Sequence, residues 1–224
     1  MKLKLLVNTT LNYSEFTLPI LFESLEKASF DLSDVIVISG GHRHHEILSP
    51  NFHNVPYNSS DFTAFVAVIE EDFDTDYFFY LHDTCHVGPR FKSQIMSIQP
   101  GKLDVIALTR NPSMNIGLYS AKYLRGKTSA IEMLKNSDYG IEAIQRVKTW
   151  GVHNEDYLSW GQDTAHKSSY SQLLNCPRSG NPILISENDY YKNGVIRRLE
   201  YYEFLDLYKV KANWEIREFY EMNP

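Results

Sequence analysis

The stretch YFFYLHDTCH, residues 77–86, carries the first side chains that could do chemistry. An apolar segment runs into His82 and Asp83, and a thiol and a second imidazole follow at Cys85 and His86. A carboxylate suits Mg²⁺ or Mn²⁺, and an imidazole beside it favours Mn²⁺. These side chains are therefore candidates for a functional site, with Asp83 as its acid and His82 as a polar contact. The simpler alternative is that Asp83 only caps the turn that follows.

A literal Asp-x-Asp motif, Asp74 to Asp76, lies just upstream of the same apolar segment. If that segment is a strand, these two acids lie at its amino end. Ligands of an open parallel sheet bind beyond the carboxyl ends of the strands. The pair is therefore predicted to form a solvated turn, and Asp83 is preferred as the functional acid.

The elements that must position these residues follow from the apolar patterns. Four apolar runs predict buried strands and a fifth predicts a short one: KLKLLVN, DVIVISGG, DYFFYLHD, KLDVIALT and NVPY. Two stretches predict helices, SEFTLPILFESLEKASF and SSDFTAFVAVIEEDF, and Pro19 places the start of the first at an N-cap Thr17. This alternation predicts an α/β fold with a mostly parallel central sheet flanked by helices. The patterns from residue 126 onwards, including RRLEYYEFLDLYKVKANWEIREFYEM, predict a helical C-terminal third.

Polar residues and glycines follow the predicted strands. They come after the first strand, after the second strand and at the start of the second helix: Asn8, Thr9, Thr10, Gly40, His42 and Asp61. Hydroxyls, backbone N–H groups and a helix N-terminus suit a ribose and a diphosphate. The sequence contains no G-x-G-x-x-G and no G-x-x-x-x-G-K-[ST], so it has neither a dinucleotide fingerprint nor a P-loop.

Length and composition limit the classes of function. The 224 residues suit one domain, which we divide into residues 1–110, 111–170 and 171–224. A net charge of -6 argues against a nucleic-acid partner. Two distant cysteines fit a reducing compartment. No apolar window approaches the roughly 18 residues of a transmembrane helix, so we expect a cytoplasmic protein.

Several of these motifs together resemble one family. VNTTLN, VIVISGG, FFYLHDTCHVGPRF and NIGLYSAKYL are similar to glycosyltransferases of the GT-A (nucleotide-diphospho-sugar transferase) fold, most of all to the compact enzymes of large algal viruses and bacterial capsule clusters. The resemblance implies transfer of a hexosyl or deoxyhexosyl group from a nucleoside-diphosphate sugar, by default linked to UDP, to a glycan or other hydroxyl acceptor. It implies Mn²⁺ or Mg²⁺ on the diphosphate with Asp83 as the metal ligand, and the host cytoplasm if the chain is viral. It makes residues 1–110 a nucleotide-sugar-binding half, residues 111–170 an acceptor and catalytic part, and residues 171–224 a C-terminal helical segment. The chain departs from the family in having a single acid, Asp83, in the strand-end motif.

The same resemblance assigns roles further along the chain. In VHNEDYLSWGQDTAH, the x-E-D motif of inverting enzymes is matched at its end by Asp156, which implies a general base there. Asp163 is the alternative base, and His166 is a further contact to metal or phosphate. Asn115 and Gly117 would lie beneath the donor sugar, where a glycine lets the backbone approach closely.

Three other functions stay open at this point. A metal-dependent phosphohydrolase is suggested by the ligand-rich segments HRHHE and HDTCH, although the second reads as a strand end. A sugar nucleotidyltransferase would need a glycine-rich loop with Arg and Lys, which VNTTLNYSEF lacks. A non-catalytic sugar-nucleotide-binding protein of the same fold is favoured by the missing second acid.

Overall fold

The computed structural model describes residues 1–101, 104–107, 116–128, 134–135, 183–184, 190–192, 195–203 and 205–211. The chain forms two compact units. The first consists of Met1–Leu11, Ser33–His82 and Gln99–Gly180, and the second of Asn12–Leu32, Asp83–Ile98 and Asn181–Pro224. The predicted single domain with divisions at residues 110 and 170 stays a prediction. Among the described residues no helix has the length and apolar character needed to cross a membrane.

The first unit is built on one seven-stranded sheet. Its strands are β1 (Leu3–Thr10), β2 (Val35–Gly40), β3 (Glu46–Ser49), β4 (Phe52–Val55), β5 (Tyr77–His82), β7 (Val105–Ala107) and β8 (Gly117–Ser120). Their order is β3-β4-β2-β1-β5-β8-β7. The pairs β4–β2, β2–β1 and β1–β5 are parallel, whereas β3 and β8 run antiparallel to their neighbours. The predicted mixed α/β fold with a mostly parallel sheet is confirmed.

Burial on both faces explains why the central strands read as continuous apolar runs. Leu5, Leu6 and Val7 of β1 are fully buried. The helix α2 (Thr63–Glu70) packs on one face, where the Phe65 ring lies 4.4 Å from that of Tyr80. A short helix, α4 (Ala121–Arg125), joins the same core. The sheet is therefore held by a dry aromatic and aliphatic core, while its strand ends carry the polar residues.

The second unit has its own antiparallel sheet. Its described residues form two helices and five strands: α1 (Ser14–Lys27), β6 (Cys85–Val87), α3 (Phe91–Met96), β9 (Ile183–Leu184), β10 (Tyr190–Lys192), β11 (Val195–Tyr202) and β12 (Leu207–Lys211). The order is β10-β11-β12-β6, and β9 also pairs with β11. Buried Asp206 organises one end of this sheet, because its carboxylate accepts hydrogen bonds from the Tyr201 hydroxyl at 2.9 Å and from the Arg90 backbone N–H at 2.9 Å.

The predicted C-terminal helix is wrong over Val195–Tyr202 and Leu207–Lys211, which form the β11–β12 hairpin. The four-residue spacing from Tyr201 to Leu205 suggested a helical face. In the structure Tyr201 lies opposite Tyr208 across the hairpin, with ring centroids 4.5 Å apart. Cross-strand aromatic pairs of this kind stabilise a hairpin. The described residues therefore do not confirm a helical C-terminal third.

The predicted start of α1 is also wrong. The helix begins at Ser14, and Thr17 lies inside it, where its hydroxyl is 3.0 Å from the Tyr13 carbonyl oxygen. Pro19 therefore lies in the helix interior and removes one backbone hydrogen bond. The prediction failed because it placed Pro19 in the first turn, where proline costs least.

Candidate functional site

The chain changes direction across the sheet at β1. After β1 it builds β2 and β4 on one side, and it then returns to place β5 on the other side. The connections that leave β1 and β5 thus diverge, and in open α/β sheets ligands bind in the crevice at such a topological switch point. Asn8 of β1 is in register with His82 of β5. Two of the sequence-predicted binding residues are thereby brought together at this edge.

Asn8 joins β1 to the start of α2. Its Oδ1 accepts a hydrogen bond from the Ala64 backbone N–H at 2.8 Å, and the side chain is only 7% exposed. The amide therefore caps an N–H group that the first turn of a helix cannot satisfy internally. Asn8 was predicted as a sugar-nucleotide contact, and the structure shows that its carbonyl oxygen serves this cap.

The next two residues of β1 differ in their surroundings. Thr9 is buried, with 1% of its surface exposed. The hydroxyl oxygen of Thr10 is buried and has no hydrogen-bond partner among the residues that the structure describes. A buried hydroxyl without a partner costs free energy, so Thr10 is the better placed of the two to gain from a polar ligand.

The Gly40–Gly41 turn lets three backbone segments approach each other. A Cβ on Gly40 would lie 2.9 Å from both the Tyr57 carbonyl oxygen and the Thr63 Cγ2 atom. Gly41 has a φ of 84°, in the region that favours glycine, and its N–H donates to the Tyr57 carbonyl at 3.0 Å. Leu11 N–H donates to the Gly40 carbonyl at 3.0 Å. The loops after β1, β2 and β4 are thus tied together by main-chain hydrogen bonds.

His42 follows this turn and is held by β2. Its Nε2 atom lies 2.8 Å from the Ser39 hydroxyl, and its backbone N–H donates to the Val55 carbonyl at 3.1 Å. Burial lowers the pKa of His42, and the charge of Glu46 opposes that shift only in part. His42 is therefore a neutral imidazole at pH 7. The Ser39 contact was not predicted, although a serine three residues before a histidine at a strand end is the signal that could have revealed it.

Asp61 and His82 approach each other at the end of β5. His82 Nε2 lies 3.9 Å from Asp61 Oδ1, beyond hydrogen-bond distance. The Tyr80 hydroxyl donates to the Asp61 backbone carbonyl at 2.7 Å and so fixes the position of Asp61. This role of Tyr80 was missed, although its two-residue spacing from His82 places both on one face of a strand. The pair offers hydrogen-bonding groups of both kinds, as a ribose or sugar needs.

Asp83 belongs to the second unit, where it is buried with 8% exposure. Its Oδ2 atom lies 3.0 Å from the Thr17 hydroxyl, whose single hydrogen is also within reach of the Tyr13 carbonyl at 3.0 Å. Burial, and then the charge of Asp83, raise the pKa of Tyr13. The Asp83 carboxylate therefore has an orientation set by α1. The role of Asp83 as a metal ligand stays a prediction.

The structural role predicted for the upstream acids is confirmed. Asp76 accepts the Lys2 backbone N–H at 2.7 Å, and Asp74 forms an ion pair with the Lys2 ammonium at 2.6 Å. The hydrogen bond from Lys2 lowers the pKa of Asp74. Both acids serve the amino end of β5, the edge opposite to the carboxyl ends.

The remaining predicted residues lie further along the chain. Gly117 begins β8, is buried and lies opposite Tyr80 of β5. Four others lie outside the described residues: Asn115, Asp156, Asp163 and His166. Their proximity to the edge is thus a prediction from sequence.

Comparison with known proteins gives weak likenesses. No family model and no curated protein matches the chain. Staphylococcus aureus TarS 1–349 aligns over 72% of this chain and 55% of that chain, with 12% identity and a TM-score of 0.43. Its complex with UDP aligns over 61% and 52%, with 15% identity and a TM-score of 0.39, and a further TarS structure over 79% and 43%, with 12% identity and a TM-score of 0.37. The chain spans about half the length of the structures it matches. At this level of similarity, a ligand of TarS is not evidence for a ligand of this chain.

The Asn8 cap gives the first test. Replacing Asn8 by Ala leaves the buried Ala64 N–H without its acceptor, so the free energy of unfolding should fall by about 1–2 kcal/mol. Asn8→Asp, which keeps an acceptor oxygen at a helix N-terminus, should retain most of the stability. Urea unfolding followed by circular dichroism measures both. Equal stability of Asn8→Ala and the wild type would show that the hydrogen bond does not hold α2 to β1.

Proposed function

We propose that the protein is a metal-dependent glycosyltransferase that moves a sugar from a nucleoside-diphosphate sugar to a hydroxyl group of a glycan. The observation that supports this most is the position of the switch point. It brings the polar ends of β1 and β5 together in a sheet of mostly parallel strands. The resemblance of the motifs at those ends to GT-A enzymes adds the reaction class.

The donor would be bound mainly by groups that the first unit fixes in place. The Thr10 hydroxyl has no hydrogen-bond partner among the described residues, and Thr10 lies in register with Gly40 of β2. His42 and the Asp61–His82 pair add groups that can hydrogen-bond to hydroxyls of a ribose or sugar. In this proposal UDP is the expected carrier, and the sugar is a hexose or deoxyhexose.

The charge at this edge explains why the proposed reaction needs a metal ion. None of the polar residues named above is a lysine or an arginine, Asp61 adds a negative charge, and the basic residue that follows His42, Arg43, is exposed. The Ala64 N–H at the start of α2 is already occupied by Asn8. A diphosphate would therefore meet little positive charge from these residues. A divalent cation would supply it and would stabilise the departing nucleoside diphosphate as a Lewis acid.

Asp83 is the proposed metal ligand because it follows His82 directly in the chain and is an oxygen donor, which Mn²⁺ and Mg²⁺ prefer. The hydroxyl of Thr17 would hold this carboxylate in one orientation. His166 is proposed as a further contact to the metal or to a phosphate.

Asp156 is the proposed general base, and Asp163 is the alternative. The base would take the proton from the acceptor hydroxyl as that oxygen attacks the anomeric carbon, while the bond to the diphosphate breaks. A direct displacement of this kind inverts the anomeric configuration.

A second candidate is a non-catalytic sugar-nucleotide-binding protein. It is favoured by the single acid of the strand-end motif and by the buried, hydrogen-bonded state of that acid. Mn²⁺-dependent hydrolysis or transfer of UDP-sugars would exclude this alternative, whereas binding without turnover across a panel of donors and acceptors would support it.

The metal role of Asp83 is tested by donor binding. Asp83→Asn keeps the size of the side chain and an oxygen for the Thr17 hydroxyl but removes the charge, so the Mn²⁺-dependent part of UDP binding should fall at least tenfold. Asp74→Asn, at the exposed amino end of β5, should bind UDP like the wild type. Calorimetric titration of UDP with Mn²⁺ or with a chelator measures the difference. Equal Mn²⁺ dependence in Asp83→Asn and the wild type would contradict the assignment.

The base is tested by turnover. Proton removal by a positioned carboxylate typically contributes about 10²–10⁴-fold in rate, so Asp156→Asn should reduce kcat on that scale and leave UDP affinity unchanged. Asp163→Asn is the matched variant and should show the loss only if the base is Asp163. Wild-type rates in both variants, or retention of the anomeric configuration in the product, would refute the proposed mechanism.

A further inference from the structure

We propose that His45, His53 and Glu71 form a binding site for a zinc-class transition-metal ion, separate from the proposed donor site. His45 comes just before β3, His53 lies in β4, and Glu71 directly follows α2. One ligand atom of each residue lies within 4.8 Å of the other two. The β3–β4 hairpin brings His45 and His53 together, and the end of α2 adds Glu71.

The buried histidine carries the main argument. His53 is 4% exposed, and its Nε2 atom lies 3.2 Å from the Pro50 carbonyl oxygen. A carbonyl can only accept, so this contact places the ring proton on Nε2 and the lone pair of a neutral ring on Nδ1. Metal-binding histidines are commonly oriented in this way by a backbone carbonyl. The Nδ1 atom thus has the state that metal binding requires.

The surroundings of that Nδ1 atom favour a positive charge. Glu71 Oε2 lies only 2.8 Å from it, yet the buried Nδ1 forms no hydrogen bond within the described residues. The Nδ1 and Oε2 atoms are within hydrogen-bond distance, but their directions do not fit a hydrogen bond between them. Two atoms with lone pairs this close repel unless a positive charge lies between them or beside them. Ligands that share one ion have this relation, because each points at the ion.

The second histidine completes a ligand set of ordinary size. His45 Nε2 lies 3.2 Å from Glu71 Oε1. Ligand atoms about 2.0–2.2 Å from a tetrahedral Zn²⁺ lie roughly 3.3–3.6 Å from one another, so a small outward shift of the Glu71 carboxylate would give these atoms the spacing of ligands. Two imidazoles and a carboxylate are ligands that zinc binds in proteins, whereas Mg²⁺ prefers oxygen ligands alone. The His45 side chain is 48% exposed, so solvent can supply a fourth ligand.

The site lies away from the proposed donor edge. Glu71 follows Ala64, near the start of α2, by seven positions, which corresponds to about 10 Å along a helix axis. The ion would join the β3–β4 hairpin to the end of α2. All four residues of β3 are exposed, including Ile47 at 60% and Leu48 at 56%, so this edge strand has little packing of its own. The structure assigns the ion a structural role at that edge.

A protonated His53 paired with Glu71 is the competing explanation, because a proton also supplies positive charge. It differs in its requirement for His45. An ion pair needs only His53 and Glu71, whereas a metal site also needs the exposed imidazole of His45.

The test is a titration of untagged, chelator-treated protein with Zn²⁺ against a chromophoric chelator. Wild-type protein should bind one Zn²⁺, and Mg²⁺ should not compete. His45→Ala and Glu71→Gln should each weaken binding by at least the roughly 10–100-fold that even a supporting contact contributes. His44→Ala, an exposed neighbour outside the cluster, is the matched control and should bind like the wild type. Because His45 is half exposed, its replacement should leave the fold intact, which circular dichroism checks.

Hydrogen exchange adds a structural readout that does not depend on any enzymatic activity. Zn²⁺ should slow exchange in residues 45–55 of the wild type and not of His45→Ala. Absence of Zn²⁺ binding by the wild type, or equal binding by the wild type and His45→Ala, would overturn the proposal. If the protein binds Zn²⁺ at this site but transfers no sugar from a nucleoside-diphosphate donor, the result contradicts the proposed function and not the zinc site.

Discussion

The pairing of β1 with β2 on one side and β5 on the other is the constraint on which the first unit depends. Because β1 is central and parallel to both neighbours, the carboxyl ends of three strands meet at one edge. The interior of β1 is apolar and fully buried, and the polar residues Asn8, Thr9 and Thr10 follow at its carboxyl end. The Asn8 amide then fixes α2 to the same edge. A register shift at β1 would move every one of these groups.

The two proposed cation sites differ in chemistry as well as in position. The strand-end acid Asp83 offers oxygen and would suit Mn²⁺ or Mg²⁺, whereas His45, His53 and Glu71 offer two nitrogens and a carboxylate. The first would act on a diphosphate and the second on the stability of an edge hairpin. Zn²⁺ bound by His45, His53 and Glu71 would therefore stabilise the hairpin without necessarily supporting sugar transfer.

The parts of the fold that follow from local sequence were predictable. The apolar runs of β1, β2 and β5 are long and buried on both faces, so their strands were identified with nearly correct bounds. The β11–β12 hairpin was mistaken for a helix, because Tyr201 and Leu205 mimic helical spacing and only the pairing with Tyr208 distinguishes the two. The antiparallel strand β8 was missed, since GLYS is too short to show a period.

Site residues divide in the same way. Asp61 and His82 were predicted as binding residues from their places at element ends, and the structure places them 3.9 Å apart. The capping role of Asn8 depends on a backbone N–H 56 residues away, and no local pattern signals such a contact. The cluster of His45, His53 and Glu71 draws on three separate elements, so its ligands carry no motif.

The proposed function requires that a nucleoside diphosphate binds at the carboxyl edge of the parallel strands. Hydrogen–deuterium exchange with UDP and Mn²⁺ tests it most directly, because bound ligand slows exchange of the backbone it covers. We expect protection of residues 8–11, 39–42 and 82–83, with no change at residues 72–76 on the opposite edge. Binding of UDP that protects residues 72–76 and leaves the three carboxyl-end segments unchanged would contradict it.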